Sequence, residues 1–326
     1  MNYLITGGTG SFGQAMAARL LANPNTESVR IFSRGELRQA QMKEKFARDW
    51  ERIRFFIGDV RDKERLLRAM RGVDVVFHAA ALKRIEVAEY NPYEAIKTNV
   101  AGSHNVVDCA VEAQVRKCVL ISSDKAVDPA NTYGASKMLA ERIFSQAPYF
   151  FGDPQTDFLI VRYGNVAGSN GSVIPLFKVK AANGEPLPIT HNDMTRFIIK
   201  MDEALDLVEQ ILNEGESGEI FIKKLPALSV LDLANTINFI FRNKAGLRLD
   251  GIGPGEKVHE CLVSLNELNR TFDYEDHFII VPLMSNKERR ESHEVKEPFS
   301  SDKARRMTKE EIMKLIGGNN EYSGVA

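Results

Sequence analysis

The chain has 326 residues, 44% of them hydrophobic and 27% charged, with a formal net charge of −1. That is an ordinary globular mixture, long enough to bury a substantial core in one large domain or two cooperating ones. Near-neutral charge excludes a global drive toward nucleic acid or an anionic membrane, while leaving room for a local basic pocket.

Asn2–Thr6 reads as a strand entered directly from MNYLITGG, which lacks the basic start and long apolar stretch of a signal peptide. Strands are expected at Val29–Ser33, Ile53–Ile57, Val73–His78 and Lys117–Ser122, alternating with helices at Gly13–Ala22, Glu36–Asp49, Asp62–Met70 and Pro92–Ala113. A further strand, Asp157–Arg162, follows a helix that begins near Asn131. Apolar strands alternating with helices predict an α/β fold, a Rossmann-type doubly wound parallel sheet covered on both faces.

The expected division is a dinucleotide-binding domain over 1–164 and a smaller substrate-binding α/β region over 165–284, then a charged tail over 285–326. Helix Asp202–Asn213 and strand Glu219–Lys223 are expected to return to the main sheet. Glycine, proline and polar residues crowd GSNGSVIPLFKVKAANGEPLPITHNDMTRF, the composition of loops that line a ligand, and LSVLDLANTINFI reads as an amphipathic helix. The tail, with SNKERRESHEVKEP, reads as mobile and solvated apart from a helix at Thr308–Leu315. No apolar run approaches the roughly 18 residues of a membrane span, so a cytoplasmic location is expected. Cys109, Cys118 and Cys261 have no metal-ligand or CxxC spacing and read as reduced, packed thiols; no metal site is expected.

The first strand–helix junction is TGGTGSFG. Its glycines permit a tight turn, close backbone approach to a pyrophosphate and close helix packing, and the helix start offers N–H groups and a positive dipole. Gly7, Thr9, Gly10, Ser11, Phe12 and Gly13 are therefore candidate cofactor contacts. Ser33 and Arg34 end the second strand where an NAD-selective site usually carries a carboxylate, and arginine suits a 2′-phosphate, which favours NADP. Glu36 nearby keeps open the alternative that Arg34 is only a surface residue. Asp59 and Val60 follow the third strand at the adenine position, and small Ala79 and Ala80 follow the fourth, where a cofactor crosses the sheet edge.

In VLISSDKAVDPANTYGASKMLAER, Tyr133 and Lys137 stand one helical turn apart and share a face. A neighbouring lysine is expected to lower the phenol pKa, so that tyrosinate takes the proton of a sugar hydroxyl while hydride leaves the same carbon. Ser123, at the end of the fifth strand, is placed to hydrogen-bond that hydroxyl. Asp124 and Lys125 add an acid and a base, the parts of an elimination; a surface ion pair is the alternative reading.

HAAALKRIEVAEYNPYEAIKTNVAGSHNV, SSDKAVDPANTYGASK, RYGNVAGSNGSVIPLF and PGEKVHE together resemble the UDP-N-acetylglucosamine 4,6-dehydratases of the extended short-chain dehydrogenase/reductase superfamily. The likeness runs from about Asn2 to about Met284 and is nearest the inverting, 5-epimerising branch that feeds pseudaminic acid and related bacterial surface glycans. It implies a lyase with a bound, recycled NADP. Tyr133, with Ser123 and Lys137, would assist oxidation at C4, Lys125 would take the C5 proton, and Asp124 would protonate the departing C6 hydroxyl. Cofactor contacts are implied also at Asn99, Tyr163, Asn165 and Val166, and substrate contacts at Lys83, Asn165, Ser172, Val173, Arg196 and Glu256, the NGSV backbone and Arg196 receiving the diphosphate.

The family usually has threonine at Ser123 and a basic residue at Gly253, and its long members carry membrane helices that this chain lacks. A homo-oligomer, dimer or hexamer, is the family expectation. His191 and His259 read as structural histidines. The alternatives are a retaining dehydratase, a UDP-sugar 4-epimerase or reductase, and a non-catalytic NADP-binding regulator. The conserved-looking proton-transfer set at Ser123, Tyr133 and Lys137 argues against the last.

Overall fold

The computed structural model describes residues 1–152, 154–169, 172–285 and 292–317. Strand β1 (Asn2–Thr6) opens an alternation with α1 (Ser11–Ala22), β2 (Ser28–Ser33), α2 (Glu36–Lys45), β3 (Ile53–Ile57), α3 (Lys63–Met70) and β4 (Val75–His78). Helices α4 (Ile85–Tyr90), α5 (Pro92–Ala95) and α6 (Gly102–Glu112) follow, the last two joined by a π-helical stretch at Ile96–Ala101. Then come β5 (Lys117–Ile121), α7 (Thr132–Phe150) and β6 (Asp157–Val161). These strands pair in parallel in the order β3-β2-β1-β4-β5-β6, the doubly wound arrangement. Helices cover both faces, so β4 is buried along its whole length and the strands read as nearly continuous apolar runs.

The second half is built from β7 (Asn165–Val166), α8 (Val173–Ala182), β8 (Leu187–Ile189), β9 (Thr195–Ile199), α9 (Met201–Glu214) and β10 (Ile220–Lys223). It continues with β11 (Ala227–Ser229), α10 (Val230–Ile240), β12 (Leu247–Leu249), β13 (Cys261–Val263), β14 (Thr271–Asp273) and β15 (His277–Ile280). The last elements are β16 (His293–Glu294), β17 (Phe299–Ser300) and α11 (Lys309–Leu315). β10 joins the main sheet parallel to β6, and β15, β14 and β16 extend it in antiparallel pairs.

Two expectations are corrected here. The stretch expected as ligand-lining loops gives Ser169, Ser172 and Thr190 to the wall of a cleft but also contains α8, β8 and the start of β9, because its apolar residues Ile174, Phe177, Ala181, Leu187 and Ile189 bury into a second hydrophobic core with Leu233 and Ile237. Its glycines and prolines only punctuate those elements. Residues 292–317 also pack, in place of the mobile tail their charge suggests: β17 pairs with β13, and Phe299 lies 5.0 Å from the Phe197 ring centre. Ile312 and Ile316 of the following segment close the second core. The charged run 286–291 lies outside the described residues. No helix among the described residues is long and apolar enough to cross a membrane.

Candidate active site

A cleft of about 2090 Å³ runs along the carboxyl ends of the parallel strands and over onto the second half, the position where open α/β sheets bind ligands. Its walls include Thr9, Ser11, Phe12, Ser33, Arg34, Asp59, Val60, Ala79, Ala80, Tyr163, Asn165 and Val166, together with the glycines of the first turn. Gly7 has φ +66°, and a Cβ there would lie 2.8 Å from Ala80 Cα. A Cβ at Gly13 would lie 2.5 Å from Gly8 Cα, so this turn is packed too tightly for any larger residue. Gly10, the N-cap of α1, brings no side chain to its first turn, and the N–H groups and positive dipole of a helix start suit a phosphate.

At the far end Arg34 is 58% exposed and 3.6 Å from Asp59 Oδ2, while Arg61 grips the same carboxylate at 2.6 and 2.9 Å. Burial would raise the Asp59 pKa, but Arg61 and then Arg34 outweigh it and hold the carboxyl below its ordinary range. Arg38 and Lys45 of α2 line the same end and were not foreseen. They sit on a helix whose face cannot be assigned until it packs. Both polar atoms of the buried Asn99 amide are engaged, by the Leu82 backbone at 2.7 and 2.9 Å and by Ser136 Oγ at 2.8 Å. It shapes the 82–83 loop from behind and does not line the cleft.

Helix α7 brings in the next group. Its N-cap Asn131 accepts from Gly134 N–H at 2.8 Å and donates to Gly255 O at 2.9 Å, which ties the PGEK loop to the helix start. Gly134 is required by packing, since a Cβ there would lie 2.2 Å from Lys125 O. Tyr133 and Lys137 stand on the buried face, 8% and 4% exposed, and both line the cleft. Lys137 donates to Ile121 O at 2.7 Å, and burial, against Glu141, brings its pKa to about 8. Burial pushes the Tyr133 phenol up; Lys125 and a hydrogen bond to Ser123 pull it back without cancelling the rise. The expected depression of the phenol by Lys137 is therefore not found, because that ammonium is turned to the Ile121 carbonyl.

Ser123 Oγ donates to Asp124 Oδ1 at 2.9 Å, and Lys125 Nζ reaches the same oxygen at 3.1 Å. Lys125 also donates to Asn165 Oδ1 at 3.3 Å and lies 3.5 Å from Glu260 Oε1. Burial alone would lower Lys125, but Asp124 and Glu260 outweigh it, with Arg196 opposing, and hold the ammonium above its ordinary pKa. Ser123 and Lys125 line the cleft; Asp124 does not, its side chain being 0% exposed, with no hydrogen-bond partner for Oδ2 among the described residues. Asp124 thus lies behind the wall, in contact with the two residues that line it. Glu260 was missed, because it lies far downstream of the SDKA motif and only folding brings it to Lys125.

Of the remaining substrate candidates, Lys83, Asn165, Ser172 and Glu256 line the cleft. Burial and Arg84 lower the Lys83 pKa, and Glu256 Oε2 accepts from Gly253 N–H at 3.0 Å. Val173 and Arg196 do not line it. Arg196 donates to Thr195 O at 2.7 Å and Val258 O at 3.1 Å, so its guanidinium is held inside the fold. Asn170 and Gly171 lie outside the described residues. His259 Nδ1 is 2.8 Å from Thr195 Oγ1 and His191 is away from the cleft. His78, between Thr6 Oγ1 and Ser103 Oγ, is a neutral buried histidine whose pKa burial, then Lys137, lowers to about 3.

Behind these groups, Arg162 joins Glu141 of α7 (2.6 and 3.0 Å) to Glu267 (2.9 and 3.0 Å), and Ser122 donates to Glu141 at 2.6 Å. Arg270 adds a contact to Glu267 at 3.2 Å. This buried network fastens the strand–helix frame of the site to the segment after β13.

Residues 3–282 match the polysaccharide biosynthesis protein family. Over 282 residues the chain is 45% identical to the UDP-N-acetylglucosamine 4,6-dehydratase (inverting) of Campylobacter jejuni, covering 86% of this chain and 83% of that protein. Over 280 residues it is 41% identical to UDP-glucose 4-epimerase of Rickettsia conorii, covering 85% and 82%. The X-ray structure of Pen from Bacillus thuringiensis superposes with a TM-score of 0.91 at 36% identity, covering 98% of this chain and 97% of that one.

Proposed function

The chain belongs to the polysaccharide biosynthesis protein family, within the extended short-chain dehydrogenases/reductases, and from that membership we propose that it is an NADP-dependent UDP-N-acetylglucosamine 4,6-dehydratase inverting C5. The product would be a UDP-4-keto-6-deoxy-L-arabino-hexose for a bacterial surface glycan of the pseudaminic acid type. The observation that carries the reading is Lys125, held between Asp124 and Glu260 beside Tyr133. A redox enzyme alone needs Tyr133 and Ser123; a buried acid–base pair next to them equips the same cleft for elimination.

The residues present fit a dinucleotide. A Cβ at Gly7 would fill the cradle against Ala80, the start of α1 offers N–H groups, and Arg34, Arg38 and Lys45 surround the end where a 2′-phosphate would sit. When bound, the nicotinamide would supply the acceptor for hydride from C4 and its return to C6.

Tyr133 takes the 4-hydroxyl proton as tyrosinate, the form that Lys125 and the Ser123 hydrogen bond favour against burial. A shift of the Lys125 ammonium proton to Asp124 Oδ1, 3.1 Å away, leaves an amine base and a carboxylic acid. The amine removes the C5 proton, made acidic by the adjacent ketone. Asp124 is buried, so its proton reaches the departing C6 hydroxyl through Ser123, which bonds Oδ1 and lines the cleft. Water leaves, and Lys125 and Asp124 are again ammonium and carboxylate. A solvent proton reaching C5 from the opposite face would give the inverted centre, and release to solvent of the proton that Tyr133 took from the 4-hydroxyl would close the cycle with the net loss of one water.

The reading is tested by mass spectrometry after incubation with UDP-N-acetylglucosamine and no added reductant. A nucleotide sugar lighter by one water supports it. The epimerase name of the Rickettsia relative motivates a second reading, 4-epimerisation, which uses the same tyrosine but keeps the C6 oxygen. A product of unchanged mass that separates from the substrate by chromatography as its C4 epimer selects that reading.

A further inference from the structure

Lys125 meets the cleft on one side and Glu260 on the other. The Glu260 side chain is 3% exposed and forms no part of the cleft wall, so it can act on bound sugar only through a neighbour. Its Oε1 lies 3.5 Å from Lys125 Nζ, and its Oε2 has no hydrogen-bond partner among the described residues. The C-terminal segment sets its place: Glu260 N–H donates to Ser301 Oγ at 2.9 Å, and Ser301 N–H donates to Glu260 O at 2.8 Å. The other charges around the pair are Asp124 and Tyr133 beside Lys125, Arg196 Nε 4.0 Å from Oε1, and Lys257 Nζ 3.9 Å from Oε2. Arg196 and Lys257 spend hydrogen bonds on backbone carbonyls, at Thr195, Val258 and Val127.

Resting on the dehydratase reading, we infer that Glu260 is a positioning residue that holds the Lys125 amine at the cleft and strengthens it as the base toward C5. Two carboxylates flank the resting ammonium. Once Asp124 has taken the ammonium proton, its own charge is gone. Glu260 is then the carboxylate left beside the amine, and a buried negative charge favours the protonated form of its neighbour. Glu260 therefore keeps the amine a stronger base toward the C5 hydrogen than it would be beside a neutral Asp124 alone. The direction of the Lys125 shift, upward with Asp124 and Glu260 as the raising charges, agrees with this arrangement.

The test isolates the proton step. UDP-N-acetylglucosamine carrying deuterium at C5 is given in a single turnover to wild-type, Glu260→Gln and Glu260→Asp holoenzymes, and loss of that deuterium, which lies on the face of Lys125, is followed by NMR across pH. Removing the charge lowers the Lys125 pKa, so the acidic limb of the Gln variant should move to lower pH by about 1–3 units. Its plateau should fall roughly tenfold or more, because a weaker base removes a carbon-bound proton more slowly. Glu260→Asp withdraws the charge by one methylene and should fall between the two, which carries the test if the Gln variant does not fold. A limb that stays at the wild-type pH in the folded variants overturns the inference, as does a plateau that rises. Wild-type enzyme that neither forms the 6-deoxy sugar nor exchanges C5 removes the dehydratase reading itself, and the inference with it.

Discussion

Lys125 and Tyr133 divide the chemistry, and single substitutions should separate their steps. Tyr133→Phe keeps the ring packed but removes the proton acceptor, so turnover should fall by roughly 10²–10⁴ with the melting temperature little changed. Lys125→Met should leave C4 oxidation while stopping loss of the C6 hydroxyl, read as reduced dinucleotide accumulating without a 6-deoxy product. Arg34→Ala with Arg38→Ala should weaken NADP binding about tenfold or more relative to NAD, measured by titration calorimetry, since a 2′-phosphate loses its charge-assisted partners. The glycine turn and the Tyr133–Lys137 pair were readable because each is local in sequence, one a tight turn and the other a helical turn. Glu260, Arg38 and the retreat of Asp124 and Arg196 behind the cleft wall were not, because they depend on which loops meet after folding.

Helix α7 is the element on which the site is most sharply set. Gly134→Ala would place a Cβ 2.2 Å from Lys125 O and push the Asp124–Lys125 turn aside. Overpacking of this kind costs about 1–3 kcal/mol, and both thermal stability and turnover should drop. The same helix is anchored by Glu141 to Arg162 and Glu267. Arg162→Met would strip the buried Glu141 of its ion pair and leave Glu267 with Arg270 alone, and should destabilise the fold by about 3–5 kcal/mol in denaturant unfolding. Glu267 gives the network a pH signature. Burial would raise its pKa, but Arg162 and the Ser264 N–H outweigh it and bring the carboxyl from 4.5 to about 2. A carboxyl depressed in the folded state stabilises fully above its unfolded value of 4.5, and that contribution is lost as pH falls toward 2. Wild-type and Glu267→Gln melting temperatures should therefore converge across that acid range. The parallel strands were legible because burial on both faces leaves nearly unbroken apolar runs, whereas α8 was hidden by the glycines and prolines that bound it.

At the scale of the whole molecule, the charged C-terminal segment completes the second half in place of trailing from it. Composition suggested solvation, yet Phe299, Ser301, Ile312 and Ile316 each have a buried or pairing role that a charge count cannot display. Ending the chain before Phe299 should lower the melting temperature by several degrees and slow the C5 proton step, because Ser301 also fixes Glu260. The central claim is elimination inside one closed redox cycle, and it is tested most directly by NMR of the protein with UDP-N-acetylglucosamine in deuterated water without added reductant. The account predicts a new C6 methyl signal, a 4-ketone, deuterium at C5 and the L-arabino ring, with no net change in the nucleotide cofactor. A C4 epimer that keeps its C6 oxygen and its C5 hydrogen would contradict it.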